Sequence, residues 1–170
     1  MSDPAMRLSS PSPRPAAGYQ VQHWPDHGCA VAALQLTSEF HFAISSRVDL
    51  FDAAVEHVMR NVRLLPYSSS DLDAIKLALA EALANAILHG NRQDPRKKVQ
   101  VCGGCERSGE LLLAVTDEGA GFDYKLIPDP RIENNVFSAH GRGLLLIRHI
   151  MNAVDFRLGG RRLVMRKKAP

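Results

Sequence analysis

The sequence predicts an α+β domain: a two-layer α/β sandwich whose mostly antiparallel mixed sheet carries helices on one face. Three observations predict it. The periodic segments run in the order strand, helix, helix, strand, strand, long loop, helix, strand, strand, so strands neighbour strands rather than alternating with helices. Two of those strand pairs are joined by short turns, the mark of antiparallel hairpins. And 170 residues, 45% hydrophobic and 23% charged, are enough for one core of ordinary size.

Residues 1–18 are rich in Pro, Ser and Ala and lack periodicity, so they are expected to form a disordered tail. Residues 19–37 are an N-terminal extension whose structure the sequence leaves open, and the domain proper is expected over 38–168. EFHFAIS (Glu39 to Ser45) alternates apolar and polar residues as a strand does. RVDLFDAAVEHVMRNV places Val48, Phe51, Ala54, Val55, Val58 and Met59 at helical spacing, and LLPYSSS ends it. Ser70, with Asp73 three residues on, reads as a capping box opening a helix from about Asp71 to His89, with Gly90 at its C′ position. KVQVCGGC and ELLLAVTD form an antiparallel pair turned by ERSG. A long irregular segment from Tyr124 to His140 carries Pro128 and Pro130. GRGLLLIRHIMNAV reads as a glycine turn entering a helix. VDFRL and RLVMRKK flank Gly159 and Gly160, a strong hairpin signal.

Composition excludes several function classes. The net charge of +3, with its excess in Arg96–Lys98 and the C-terminal basic tail, suits a solvated face and does not call for nucleic acid. No stretch approaches the ~18 apolar residues of a membrane span, and the N-terminus lacks the apolar region of a secretory signal. Three cysteines, an odd number, argue against a disulfide framework and suit the cytoplasm. CGGC (Cys102 to Cys105) resembles half a zinc site, but no second pair follows at suitable spacing, so it reads as two strand thiols around a glycine pair.

Three short motifs carry chemistry. In LALAEALANAILHGN, the apolar stripe of Leu72, Ile75, Leu79, Ala82, Leu83 and Ala86 leaves Glu81 and Asn85 one turn apart on another face. Ala78 and Ala84 nearby are small, which leaves space above the two polar heads. An amide oxygen suits Mg²⁺, a hard cation that wants oxygen ligands, and a carboxylate can take the proton of an attacking hydroxyl or water. In DEGAGFD, Asp117 ends a strand and can accept a hydrogen bond from an exocyclic amine, while Gly119 and Gly121 let backbone approach a flat ring. Taken alone, that loop reads as a turn. In GRGL, Gly141 and Gly143 precede an apolar helix whose free N–H groups can bind phosphate, although the segment is neither a Walker A loop nor a dinucleotide fingerprint.

Together, in this order and spacing, EALANAILHGN, DEGAGFD, DPRIENN and GRGLLLIRHIMNAVDF resemble the GHKL ATP-binding superfamily of gyrase, MutL, chaperone and histidine-kinase ATPases. Within it the likeness is to the anti-sigma-factor serine kinases of bacterial partner switching, over roughly residues 38–167. The resemblance implies the Bergerat fold and the cofactors ATP and Mg²⁺. It implies Glu81 as general base, Asn85 as Mg²⁺ ligand and Asp117 as acceptor of the adenine amine. It further implies Gly119 and Gly121 as the floor under the base, Tyr124 to His140 as an ATP lid, and Gly141, Arg142, Gly143 and Leu144 as the phosphate-binding turn. Arg131 and Arg142 are alternatives for steadying the γ-phosphate. The implied activity is phosphorylation of Ser or Thr on a small anti-sigma-factor antagonist, with a sigma factor or similar client as second partner and the first helix as a partner or homodimer surface. A non-catalytic ATP-gated binding module and an ATP hydrolase fit the same residues. The chain departs from the family at Asn152, where an acidic residue often follows the Met.

Overall fold

The computed structural model describes residues 19–20, 36–123 and 139–169. The expected tail and most of the expected lid lie outside the described residues. Six strands form one sheet: β1 (Tyr19–Gln20), β2 (Leu36–Ser45), β3 (Lys98–Glu106), β4 (Leu111–Thr116), β5 (Ala153–Arg157) and β6 (Arg162–Lys167). Their order is β1-β2-β3-β4-β6-β5. Every ladder among them is antiparallel, so the parallel element that a mixed sheet implies does not occur among the described strands. β1, inside the extension that the sequence left open, pairs Tyr19 with Ile44 and Gln20 with Ala43 on the β2 edge.

Three helices supply the second layer: α1 (Phe51–Val62), entered through a 3-10 turn at Val48–Leu50; α2 (Ser69–Ala84), continued by a π-helical turn at Asn85–Gly90; and α3 (Ala139–Ile150). α2 packs on both α1 and α3. One buried cluster joins the layers, with Phe42, Val101, Leu113 and Met165 from the sheet meeting Val58, Leu79 and Ile147 from the helices. Cys102, Leu112, Ala114 and Val164 are buried in a second, smaller cluster. This explains why LLLAV is an unbroken apolar run: β4 is buried from Leu111 through Val115, as a central strand covered on both faces must be. Cys102 is disulfide-bonded and Cys105 is a buried thiol whose Sγ donates to the Glu106 carbonyl at 3.3 Å, so the two do not pair with each other. One bridge is more than the odd cysteine count suggested. No described helix is long and apolar enough to cross a membrane.

Three local readings are corrected. The α2 cap is Ser68, not Ser70. Ser68 keeps extended backbone, its Oγ accepts the Asp71 N–H at 3.1 Å, and Asp71 answers from three residues on, whereas Ser70 already lies in the first turn. α3 begins at Ala139, so Gly141 and Gly143 sit inside the helix rather than before it. Gly90 is not a left-handed C′ residue; the positive φ values after α2 fall on Arg92 (54°) and Gln93 (58°). The hairpin turn is as expected, with Gly159 and Gly160 at φ 64° and 85°.

Candidate active site

α2 and α3 cross where α2 offers its polar heads. Ala78, one turn before Glu81, is fully buried, so its small side chain does not lie beside open space. The two heads are half-buried at a helix seam. Across that seam stands Gly143: a Cβ there would overlap Glu81 Oε2 and lie 3.9 Å from Asn85 Nδ2. Among the described residues, neither the Glu81 carboxylate nor the Asn85 amide makes a side-chain hydrogen bond. A polar pair held against a bare glycine backbone, with its own bonding capacity unspent, has the form of a ligand seat. Asn85 is also the first residue of the π turn. Such turns widen a helix locally and recur at functional sites.

The second half of the site is the loop after β4. The Asp117 N–H donates to the Arg161 carbonyl at 3.0 Å, which anchors the loop on the β5–β6 hairpin. Asp117 Oδ1 accepts the Gly119 N–H at 2.7 Å, and Oδ2 has no hydrogen bond among the described residues. Burial pushes the Asp117 carboxyl above the ordinary Asp range, against the pull of the Gly119 N–H and of the Arg161 and Lys97 charges. A half-buried carboxylate with one oxygen fixed and the other unused suits a single amine donor.

Contacts within the chain already require the glycines of this region. A Cβ on Gly119 would overlap the Gly90 carbonyl, and a Cβ on Gly90 would lie 2.6 Å from Asp117 Oδ2. Gly121 has φ 75°, and its Cβ would overlap the Gly159 carbonyl. The end of α2 and the loop are thus pressed together backbone to backbone. Sequence reasoning missed Gly90 in this role, and it missed Asn91, a fully buried polar residue beside it. A Gly-Asn pair ending a long helix next to ExxxN was the available signal, and it was read only as a cap.

The predicted phosphate turn comes together in part. Gly143 faces the seat. Arg142 is exposed on the first turn of α3. Leu144 is 6% exposed and lies in the core. In a helix beginning at Ala139 the uncommitted N–H groups belong to the first four residues, so those of Gly143 and Leu144 are spent inside the helix. Gly141 lies in the first turn of α3, and Arg131 lies outside the described residues. No group of three or more His, Cys, Asp or Glu that could hold a metal occurs among the described residues. Asn152 serves the fold: its Oδ1 accepts the Lys168 N–H at 2.9 Å.

Residues 44–167 match the family model of the histidine kinase-like ATPase domain. Over 94 residues the chain is 34% identical to the anti-sigma F factor of Geobacillus stearothermophilus, an alignment covering 55% of this chain and 60% of that protein. The anti-sigma F factor of Geobacillus kaustophilus matches to the same extent. The matched stretch thus spans less than two thirds of these relatives. The fold is similar to that of the RsbU and RsbW domains of a Mycobacterium tuberculosis protein, with a TM-score of 0.54 at 15% identity, covering 77% of this chain and 32% of that one.

Proposed function

This chain belongs to the histidine kinase-like ATPase domain family, and from that premise we propose that it is a cytoplasmic, ATP-dependent serine/threonine kinase of the anti-sigma type. Its substrate is a small antagonist protein and its client a sigma factor or similar regulator. The observation that carries the reading is the seat of Glu81, Asn85 and Gly143, two unspent polar heads against a bare backbone. The names of the two anti-sigma F factors similar to this chain support a sigma factor as the client. Val48 and Leu64, exposed apolar side chains flanking α1, support a partner or dimer surface there.

The residues fit a magnesium nucleotide. Glu81, Asn85 and Asp117 are oxygen donors, which suits a hard cation and an amine and offers nothing to a soft metal. Asp117 Oδ2 would take the base amine, Asn85 the cation through its amide oxygen, and the bare face of Gly143 would border the phosphates. Bound there, ATP supplies the phosphoryl group and Mg²⁺ the positive charge that neutralises it. Glu81 would accept the proton of the incoming serine or threonine hydroxyl at its carboxylate. The α2–α3 seam half-buries that carboxylate and so keeps most water away from it. Positioning and charge placement are what such sites chiefly contribute.

The test is incubation of the protein with labelled ATP, Mg²⁺ and a candidate antagonist domain. Label on an antagonist Ser or Thr is the expected result. Nucleotide-dependent association with neither labelled protein nor free phosphate would overturn it in favour of a gated binding module, and phosphate release alone in favour of a hydrolase.

A further inference from the structure

We infer that Asn91 is a positioning residue for base selection, fixing the Asp117 loop through a closed ring of hydrogen bonds with Glu118 and Lys98. Asn91 follows the π turn directly and is 1% exposed; with Ser46 it is one of two buried polar residues among those described. Its Oδ1 accepts the Glu118 N–H at 2.8 Å, and its Nδ2 donates to the Lys98 carbonyl at 2.9 Å. The Lys98 N–H donates in turn to Glu118 Oε2 at 2.8 Å. Three bonds thus tie the end of α2, the start of β3 and the loop after β4.

The Asn91 carboxamide closes this ring with both of its ends. The position needs an acceptor and a donor on one short neutral group; Asp lacks the donor and Ala lacks both. The backbone places that group just as firmly, because the Asn91 N–H donates to the Ala86 carbonyl at 2.8 Å, five residues back, in π register. The wide turn that begins at Asn85 therefore also sets where the Asn91 amide stands. Glu118 is the residue after Asp117, so the peptide that Asn91 grips carries the Asp117 carboxylate with it. Gly90 leaves the room: any side chain there would strike that carboxylate. Ser46 grips the same turn elsewhere, through its Oγ and the Ile87 carbonyl at 3.5 Å, and makes no hydrogen bond to the loop.

The inference rests on the nucleotide reading proposed above, and the test separates the two. Affinities for MgATP and MgGTP are measured by calorimetry on the full chain and on Asn91→Ala, Glu118→Ala and Ser46→Ala. The ratio of the two affinities is read, because a partly unfolded sample lowers both equally. The wild type should prefer ATP, since guanine presents an oxygen where adenine presents an amine. Asn91→Ala should lower the preference about tenfold, in line with the loss of a buried hydrogen bond. Glu118→Ala, at an exposed side chain that can be removed without threatening the fold, should lower it a few-fold. Ser46→Ala should leave it unchanged while lowering the melting temperature. A preference intact in both Asn91→Ala and Glu118→Ala overturns the inference alone; if Asn91→Ala fails to fold, Glu118→Ala decides. A wild type without ATP preference overturns the nucleotide reading itself, and the inference with it.

Discussion

At Asp117 one carboxylate oxygen is held by the Gly119 N–H and the other is unused. Replacing Asp117 with Asn keeps the first bond and puts an NH₂ where Oδ2 stood, a donor facing a donor. ATP affinity should fall about tenfold to a hundredfold, as when a charge-assisted hydrogen bond is lost. Stability should move the other way. Burial raises this carboxyl above its unfolded value, so the ionised form is disfavoured in the folded state, and Asp117 costs stability as pH rises through that window. Asp117→Asn should therefore melt no lower than the wild type at neutral pH, and thermal melts beside calorimetry check both halves. The same shift means that adenine affinity should begin to fail, as pH drops, earlier than an ordinary aspartate would allow.

Among the elements, the α2–α3 crossing is where the proposed chemistry would take place. Gly143→Ala would drive a methyl into the Glu81 carboxylate, displacing it from the seat. The expected outcome is a loss of phosphotransfer well beyond any loss of ATP affinity, read from single-turnover labelling against calorimetry; equal losses would place Gly143 in binding alone. The sequence makes these elements legible to differing degrees. The apolar stripe of α2 identified the helix and left Glu81 and Asn85 on another face, because periodicity reports burial directly. It could not report that Ala78 is a packing residue, since a small side chain suits an open face and a tight crossing equally. Nor does periodicity distinguish a π turn from an α turn over six residues, so NAILHG read as plain helix. The glycines of GRG were visible, but whether they precede a helix or lie within it depends on where the cap falls upstream, outside the motif.

For the whole molecule, the paired strands and the two hairpin turns made the sheet readable, while its closure depends on contacts far apart in sequence. Tyr67 is one of these. Its hydroxyl accepts the buried Leu111 N–H at 3.1 Å and donates to the Lys167 carbonyl at 2.7 Å, joining the α1–α2 connection to β4 and β6. Tyr67→Phe leaves a buried N–H unpaired and should cost about 1–3 kcal/mol, seen in denaturant unfolding, with ATP affinity unchanged because the site lies elsewhere. No local pattern announces such a residue; it read only as part of a breaker. The central claim, that the α2–α3 seam transfers a phosphoryl group, is tested most directly by Glu81→Ala with ATP affinity and single-turnover transfer to an antagonist measured on the same sample. The account predicts affinity near that of the wild type and transfer slowed by ~10²–10⁴-fold, the usual contribution of a general base. Transfer at the wild-type rate would contradict it.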